Sequence, residues 1–334
     1  MTTPYVIGIG NAIMDVIAPT EDARLAQLGI EKGIMQLIDR DRAEVLTAAQ
    51  ASGATASRLV PGGSVANTLA GIGMLGLKTA FIGRVAADEI GQSYAAQTEA
   101  AGTAFVNAPV AGAGDPTSRS IIFVTPDGER SMNTYLGISA ELDEGDVDPA
   151  VFEGAGWLFL EGYLFDKDKG KAAFMKAAKA CHDAGGQAGI ALSDPFCVDR
   201  HRDDFRKLVA GPMDYVIGNA HEWTSLYQTE DLEAALLQAS ADCGMIVCTR
   251  SGEDAILIRR GEDRVFAPVH KIVPVDATGA GDQFAAGLIY GLATGAPLAV
   301  AGRMGCIAAA EVIAHVGPRP ERDLLADFRA EGLI

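Results

Sequence analysis

Basic residues are scarce in this chain. Its 334 residues include 27 Lys and Arg against 44 Asp and Glu, a formal net charge of −17. So acidic a surface argues against nucleic acid and against anionic membranes as partners, because both repel it. It still allows a phosphate-bearing ligand, since local backbone N–H groups and a metal ion can outweigh the global charge. Cysteine is scarce too. Cys181, Cys197, Cys243, Cys248 and Cys306 make an odd number, with no C-x-x-C pair and no matching His cluster. All five are read as reduced cysteines of a cytoplasmic protein. The N-terminus, Met1-Thr2-Thr3-Pro4, has no basic n-region and no signal-peptide core. No run of about 18 apolar residues free of charge occurs, so no spanning helix is expected. No segment repeats or is low in complexity. G-x-S-x-G is missing, which leaves a hydrolase elbow without support.

Two familiar nucleotide motifs are incomplete. Gly8-Ile9-Gly10 follows a strand-like run, but Ile13 stands where a dinucleotide fingerprint has its third glycine. Between Gly71 and Thr79, Leu77 breaks the P-loop spacing, and the segment runs into a strand rather than out of one. His182, His201, His221, His270 and His315 form neither a triad nor a metal pattern.

Apolar residues, by contrast, make up 49% of the chain, enough for a large core. Strands are expected at 5–9, 16–18, 79–82, 157–160, 187–192, 215–218, 245–249 and 255–259. Helices are expected at 39–51, 88–101, 170–184, 201–210, 232–241, 282–293 and 298–313, with one beginning near 64. The alternation from about residue 150 onward predicts a mainly parallel sheet covered by helices. Residues 10–45 and a hairpin at 117–135 fit that pattern worst and are read as a small β-rich appendage.

Asp276-Ala277-Thr278-Gly279-Ala280-Gly281-Asp282 follows the β-branched run Lys271-Ile272-Val273-Pro274-Val275 and opens a long apolar segment. It reads as a glycine-rich turn at a helix start, whose free N–H groups grip an anion. Plain helix capping would also suit it. A carboxylate repels phosphate, so Asp282 makes sense as acceptor of a proton from the group receiving it; the same field should keep it ionised. Pro61-Gly62-Gly63-Ser64 is a second glycine turn at a helix start. It is either an ordinary link or a platform for a hydroxyl-rich substrate, with Asn67 one turn on. Asn11 and Asp15 come just after the first strand, where ligands sit in open α/β sheets. Asp15, in an apolar stretch, needs partners; sugar hydroxyls or a backbone cap would serve. Asn219-Ala220-His221-Glu222 has capping-box spacing, and a site for phosphate and magnesium-bound water is the other reading.

Taken together, these residues resemble the PfkB, or ribokinase-like, family of carbohydrate and nucleoside kinases. Gly83-Arg84-Val85-Ala86-Ala87-Asp88-Glu89-Ile90-Gly91 adds to the likeness, which spans nearly the whole chain. Within the family the chain looks most like the adenosine kinase branch. Leu192-Ser193-Asp194-Pro195-Phe196 and Gly128-Glu129-Arg130-Ser131 carry that similarity. It departs from the branch after Gly162, where Leu164 rather than an aromatic follows Tyr163, and at Ala277, where Thr is commoner.

The resemblance implies a three-layer α/β/α fold with a β-rich lid. Residues 1–10, 46–104 and 136–334 would form the large domain, and 11–45 with 105–135 the lid. It implies ATP-dependent phosphorylation of a primary hydroxyl of a nucleoside, adenosine favoured. Asp282 would be the base, and the N–H groups of Gly279, Ala280 and Gly281 would stabilise the γ-phosphoryl group. Asn11, Asp15, Gly62, Gly63, Ser64, Asn67 and Arg130 would hold substrate; Asn219, Thr249 and Gly252 would meet ATP. Mg²⁺ would lie near Glu222 through water, and Asp276 and Thr278 would offer carbonyls to a monovalent cation, K⁺. A ribose- or fructose-type sugar kinase of the same fold, or a non-catalytic ligand-binding protein, are the other readings. A lid sheet with an open edge allows a monomer or a lid-mediated homodimer.

Overall fold

Strands buried on both faces show continuous apolar runs, and here each run divides its side chains between two cores. Ile7, Ile9, Leu158, Leu160, Val216 and Ile246 enter one core, whereas Val6, Phe159, Ile217 and Val247 enter the other. That two-residue alternation follows from the pleat of a strand and sets a sheet between two helical layers. The computed structural model describes residues 5–53 and 56–334, without the Asp166 side chain. The reading of Met1–Pro4 lies outside the described residues.

The chain begins with β1 (Tyr5–Ile9), β2 (Ile13–Pro19), α1 (Asp22–Leu28), β3 (Met35–Leu37), α2 (Arg40–Ala51) and β4 (Arg58–Gly62). Next come α3 (Ser64–Met74), β5 (Lys78–Ile82), α4 (Glu89–Ala100), β6 (Thr103–Phe105), β7 (Ser118–Val124) and β8 (Arg130–Tyr135). A regular α/β section follows: β9 (Trp157–Glu161), α5 (Asp168–Asp183), β10 (Gln187–Ala191), α6 (Pro195–Arg200), α7 (Arg202–Ala210), β11 (Tyr215–Asn219), α8 (Ala220–Tyr227) and α9 (Leu232–Asp242). The chain closes with β12 (Met245–Arg250), β13 (Glu253–Arg259), β14 (Val265–Ala267), α10 (Ala280–Ala293), α11 (Leu298–Val312) and α12 (Leu324–Ala330).

The large sheet has the order β14-β13-β12-β11-β10-β9-β1-β5-β6. It is parallel from β12 to β6, and β13 and β14 add antiparallel. The smaller sheet runs β3-β8-β7-β2-β4. This is the ribokinase-like α/β arrangement with a second, β-rich layer. Among the described residues no helix is long and apolar enough to cross a membrane. All five cysteines are buried, and none of them forms a disulfide.

The structure moves two expected boundaries. Residues 46–51 and 58–62, assigned to the large domain, go with the small sheet: β4 pairs antiparallel with β2, and Ala43 and Leu46 of α2 share a core with Ile121, Phe123 and Tyr135. The sequence hides β4 because Pro61 and Gly62 read as a turn, yet an edge strand tolerates proline. Phe105, placed at the start of the lid, instead pairs with Phe81 in the large sheet. The β-branched run before the glycine turn forms no strand. It follows the edge strand β14, Pro274 lacks a donor, and Val273 is 88% exposed.

Candidate active site

Three helix starts, of α3, α8 and α10, and the ends of parallel strands converge on one cavity of about 790 Å³, lined among others by Asn11, Asp15, Gly63, Ser64, Asn67, Glu161, Asn219, Glu222, Thr249, Thr278, Gly279, Ala280, Gly281 and Asp282. Met35, Leu37, Met132 and Thr134 of the small sheet form its roof. Gly62, Arg130, Gly252 and Asp276, read as site residues from sequence, do not line it.

The floor is the start of α10. Gly279 is its N-cap at φ 81°, and a Cβ there would lie 2.6 Å from Pro318 Cα. The position therefore requires glycine on two counts. Gly281 faces open space: a Cβ at that position would meet nothing within 4 Å. The first turn leaves N–H groups without intrahelical partners at the positive end of the helix dipole, a cradle for an anion. The Ala280 N–H leans back to Ala277 O at 3.3 Å.

Asp282 stands one residue further on. Ser64 Oγ donates to its Oδ1 at 2.6 Å, and Asn67 Nδ2 to its Oδ2 at 3.1 Å. Ser64 and Asn67, read from sequence as substrate ligands, thus first serve to orient this carboxylate. Burial pushes its pKa up to about 6, against the pull of Ser64, Asn67 and the Arg319 charge. The helix field alone was expected to keep it charged; desolvation proves the larger effect, and the group is still ionised above about pH 6.

Asp15 lies in β2 and faces the same space. Burial raises its pKa to about 7, opposed by Arg130 and Arg319 and assisted by Asp282. Gly62 gives it room, since a Cβ there would come within 2.7 Å of Asp15 Oδ1. Gly63 has φ 98°, and its Cβ would sit 2.2 Å from Asn11 O. Asn11 turns inward: its N and Nδ2 donate to Glu161 Oε1 at 2.7 and 2.8 Å. Val65 N donates to Glu161 Oε2 at 3.3 Å. Glu161 is 1% exposed, and burial raises its pKa to about 7.

At the far end Asn219 and Glu222 form the capping box read as one alternative. Asn219 N and Nδ2 donate to Glu222 Oε2 and Oε1 at 2.8 and 2.7 Å, and Glu222 N donates back to Asn219 Oδ1. Glu222 is buried, which raises its pKa to about 7. Thr249 reaches the cavity, while Gly252 sits on an exposed turn beyond β12. Arg130 is 6% exposed and its Nη1 donates to Asp276 Oδ2 at 3.2 Å. Burial raises the Asp276 carboxyl, but Thr278, Gly317 N and Arg130 together hold it below its ordinary value. Among the described residues no group of three or more His, Cys, Asp or Glu side chains could hold a metal.

Sequence reasoning missed Glu161 and Arg319. A carboxylate closing the apolar run Trp157-Leu158-Phe159-Leu160 was a usable signal, because a charge at a buried strand end needs donors. Arg319, between Pro318 and Pro320, carries no local signal. Its Nε donates to Asn67 Oδ1 at 3.3 Å and its Nη2 to Pro61 O at 2.5 Å.

An anion cradle facing a fixed carboxylate, on this fold, defines an alcohol-acceptor phosphotransferase. The chain belongs to the pfkB family of carbohydrate kinases, whose model matches residues 33–323. A probable sugar kinase from Rhizobium etli is similar at 41% identity and TM-score 0.89, with both chains fully covered. An adenosine kinase from Sinorhizobium meliloti is similar at 40% identity and TM-score 0.87, covering 99% of this chain and all of that one. A fructokinase from Klebsiella pneumoniae is 27% identical over 238 residues, 70% of this chain and 77% of the relative. The chain is thus a carbohydrate or nucleoside kinase, and membership implies ATP as donor, generally with magnesium.

Proposed function

We propose that the protein transfers the γ-phosphoryl group of ATP to the primary hydroxyl of a nucleoside, adenosine favoured, with Asp282 as general base. The observation that carries the reading is the placement of Asp282, held by Ser64 and Asn67 beside the open backbone at Gly281. A hydroxymethyl group between Asp15 and Asp282 would lose its proton to Asp282 as its oxygen attacks. Asp15, Asn11 and the Gly63 backbone would hold ring hydroxyls. The Gly279–Gly281 backbone would take up charge on the transferring group, the electrostatic work that dominates phosphoryl transfer.

Arg130 Nε and Nη2 are buried without a partner, two donors that suit an anion arriving beside Asp276. Asn219, Thr249 and Gly252 would meet the nucleotide. Magnesium would come with ATP; both Glu222 oxygens are engaged by Asn219, so Glu222 would act on it through water. The carbonyls of Asp276 and Thr278 would be open to K⁺. The small sheet would serve as the lid that excludes water.

Adenosine is favoured by the 40% identity to the Sinorhizobium adenosine kinase and by the apolar roof at Met35 and Leu37. A sugar acceptor is the second reading, supported by the fructokinase relative and by Leu164, rather than a second aromatic, next to Tyr163, whose hydroxyl is tied to Ser193 O at 3.1 Å. The test is ADP release with ATP and, in turn, adenosine, inosine, ribose and fructose. The highest kcat/KM is expected with adenosine. A preference for ribose or fructose would replace the nucleoside by a sugar, and no turnover with any acceptor would overturn the reading.

A further inference from the structure

Asn67 is the meeting point of four contacts. Its N–H bonds to Gly63 O at 3.0 Å, its carbonyl accepts Gln283 Nε2 at 3.0 Å, its Nδ2 donates to Asp282, and its Oδ1 accepts Arg319 Nε. A guanidinium only donates, so whatever faces it must be the amide oxygen. That choice puts the amide nitrogen on Asp282, where a donor is needed; a flipped amide would set oxygen against a carboxylate. Gln283 secures the arrangement, its Nε2 also bonding Pro318 O at 2.9 Å and so tying the segment that carries Arg319 to α10.

The charges around the base leave Arg319 a second task. Asp15 approaches from β2, Glu161 from β9, and the Tyr163 hydroxyl from the segment after β9, all anionic or neutral; Ser64 and Asn67 of α3 carry no charge. Arg130 from β8 acts on Asp15 and is bound to Asp276. Arg319 is the cation that acts on Asp15 and Asp282 together.

We infer that Arg319 is a positioning residue for the phosphotransfer base: it fixes the Asn67 amide against Asp282 and supplies the positive charge that keeps Asp282 ready to accept a proton. The inference rests on the reading of Asp282 as base. It is tested with R319M, which keeps the volume and removes charge and donors, and R319K, which keeps the charge. The readouts are the 13C carboxyl titration of Asp282 in labelled protein and the pH profile of kcat/KM. In R319M the Asp282 titration and the acid limb of the profile should both move up, by about one pH unit for the loss of a neighbouring opposite charge. Activity should then fall about fivefold near pH 6, approach a tenfold loss below it, and recover toward pH 8.5. R319K should show a smaller shift of both, and it carries the test should R319M not fold. An Asp282 titration unchanged in the variants, or a loss equal at every pH, would overturn the inference. If the wild type transfers no phosphate, the functional reading fails, and the carboxyl titration still decides what Arg319 does.

Discussion

Gly63→Ala separates backbone conformation from space. Gly63 has φ 98° and ψ 136°, a region that is essentially glycine's alone, and holding alanine there costs about 1–3 kcal/mol. The added Cβ would also lie 2.2 Å from Asn11 O, a backbone atom pinned by the Asn11–Glu161 contacts, so the neighbour cannot swing aside. Overpacking of that kind adds about 1–3 kcal/mol, for a total of about 2–6 kcal/mol. Gly76, just past the other end of α3, is the control. Its φ is 91°, but nothing lies within 4 Å of a Cβ there, so Gly76→Ala should cost only about 1–2 kcal/mol. Urea unfolding of both variants reads the difference. Function adds a second test, because Gly63 O accepts the first helical bond, from Asn67 N, and the same turn carries Ser64. Below its melting range Gly63→Ala should lose more than about tenfold in kcat, since small misplacements of reacting groups are costly. Gly76→Ala should keep its rate. Equal destabilisation of the two variants, or a fully active Gly63→Ala enzyme, would refute the reasoning.

Glu161→Gln puts an amide NH2 where Glu161 Oε2 accepted from Val65 N, and should cost about 1–3 kcal/mol in urea unfolding at pH 6 for the buried donor left unpaired. Asp15→Asn should raise KM for the acceptor about tenfold while kcat changes less, as expected for lost binding contacts. In the wild type, kcat/KM should rise with pH through about 6, where Asp282 loses its proton, and drop about tenfold per unit below that. Stability should run the other way. The folded pKa values of Asp15, Glu161, Glu222 and Asp282, about 7, 7, 7 and 6, lie above their ordinary values of 3.8 or 4.5. The fold thus favours their protonated forms; that contribution is complete below the ordinary values and is lost as pH rises through 6 to 7. Denaturation midpoints across that window check the sign, and Glu161→Gln should flatten the slope.

Long apolar runs made the parallel sheet legible from β9 onward, because strands buried on both faces leave no ambiguity with a solvated face. The two glycine turns were legible as helix starts for the same reason that they matter chemically: only glycine tolerates those backbones. The small sheet was legible as a hairpin and little else, since β3 and β4 are short edge strands whose pairing is decided by β2 and β8, far away in sequence. In the site, Asp282, Ser64 and Asn67 were all visible as polar residues at helix starts. Their mutual bonding was not, because it joins helices more than 200 positions apart. Arg319 was invisible for the same reason: its partners, Asn67 and Pro61, are chosen by the fold. Glu222 shows the reverse, a local capping-box pattern that the structure forms as written.

The most direct test is turnover of Asp282→Asn with ATP and the preferred acceptor. Asparagine keeps the shape and an acceptor for Ser64, so folding and ATP binding should persist. Loss of the general base should lower kcat by about 10²–10⁴-fold. A variant that binds ATP and turns over within a few-fold of wild type would contradict the assignment of Asp282 as the base.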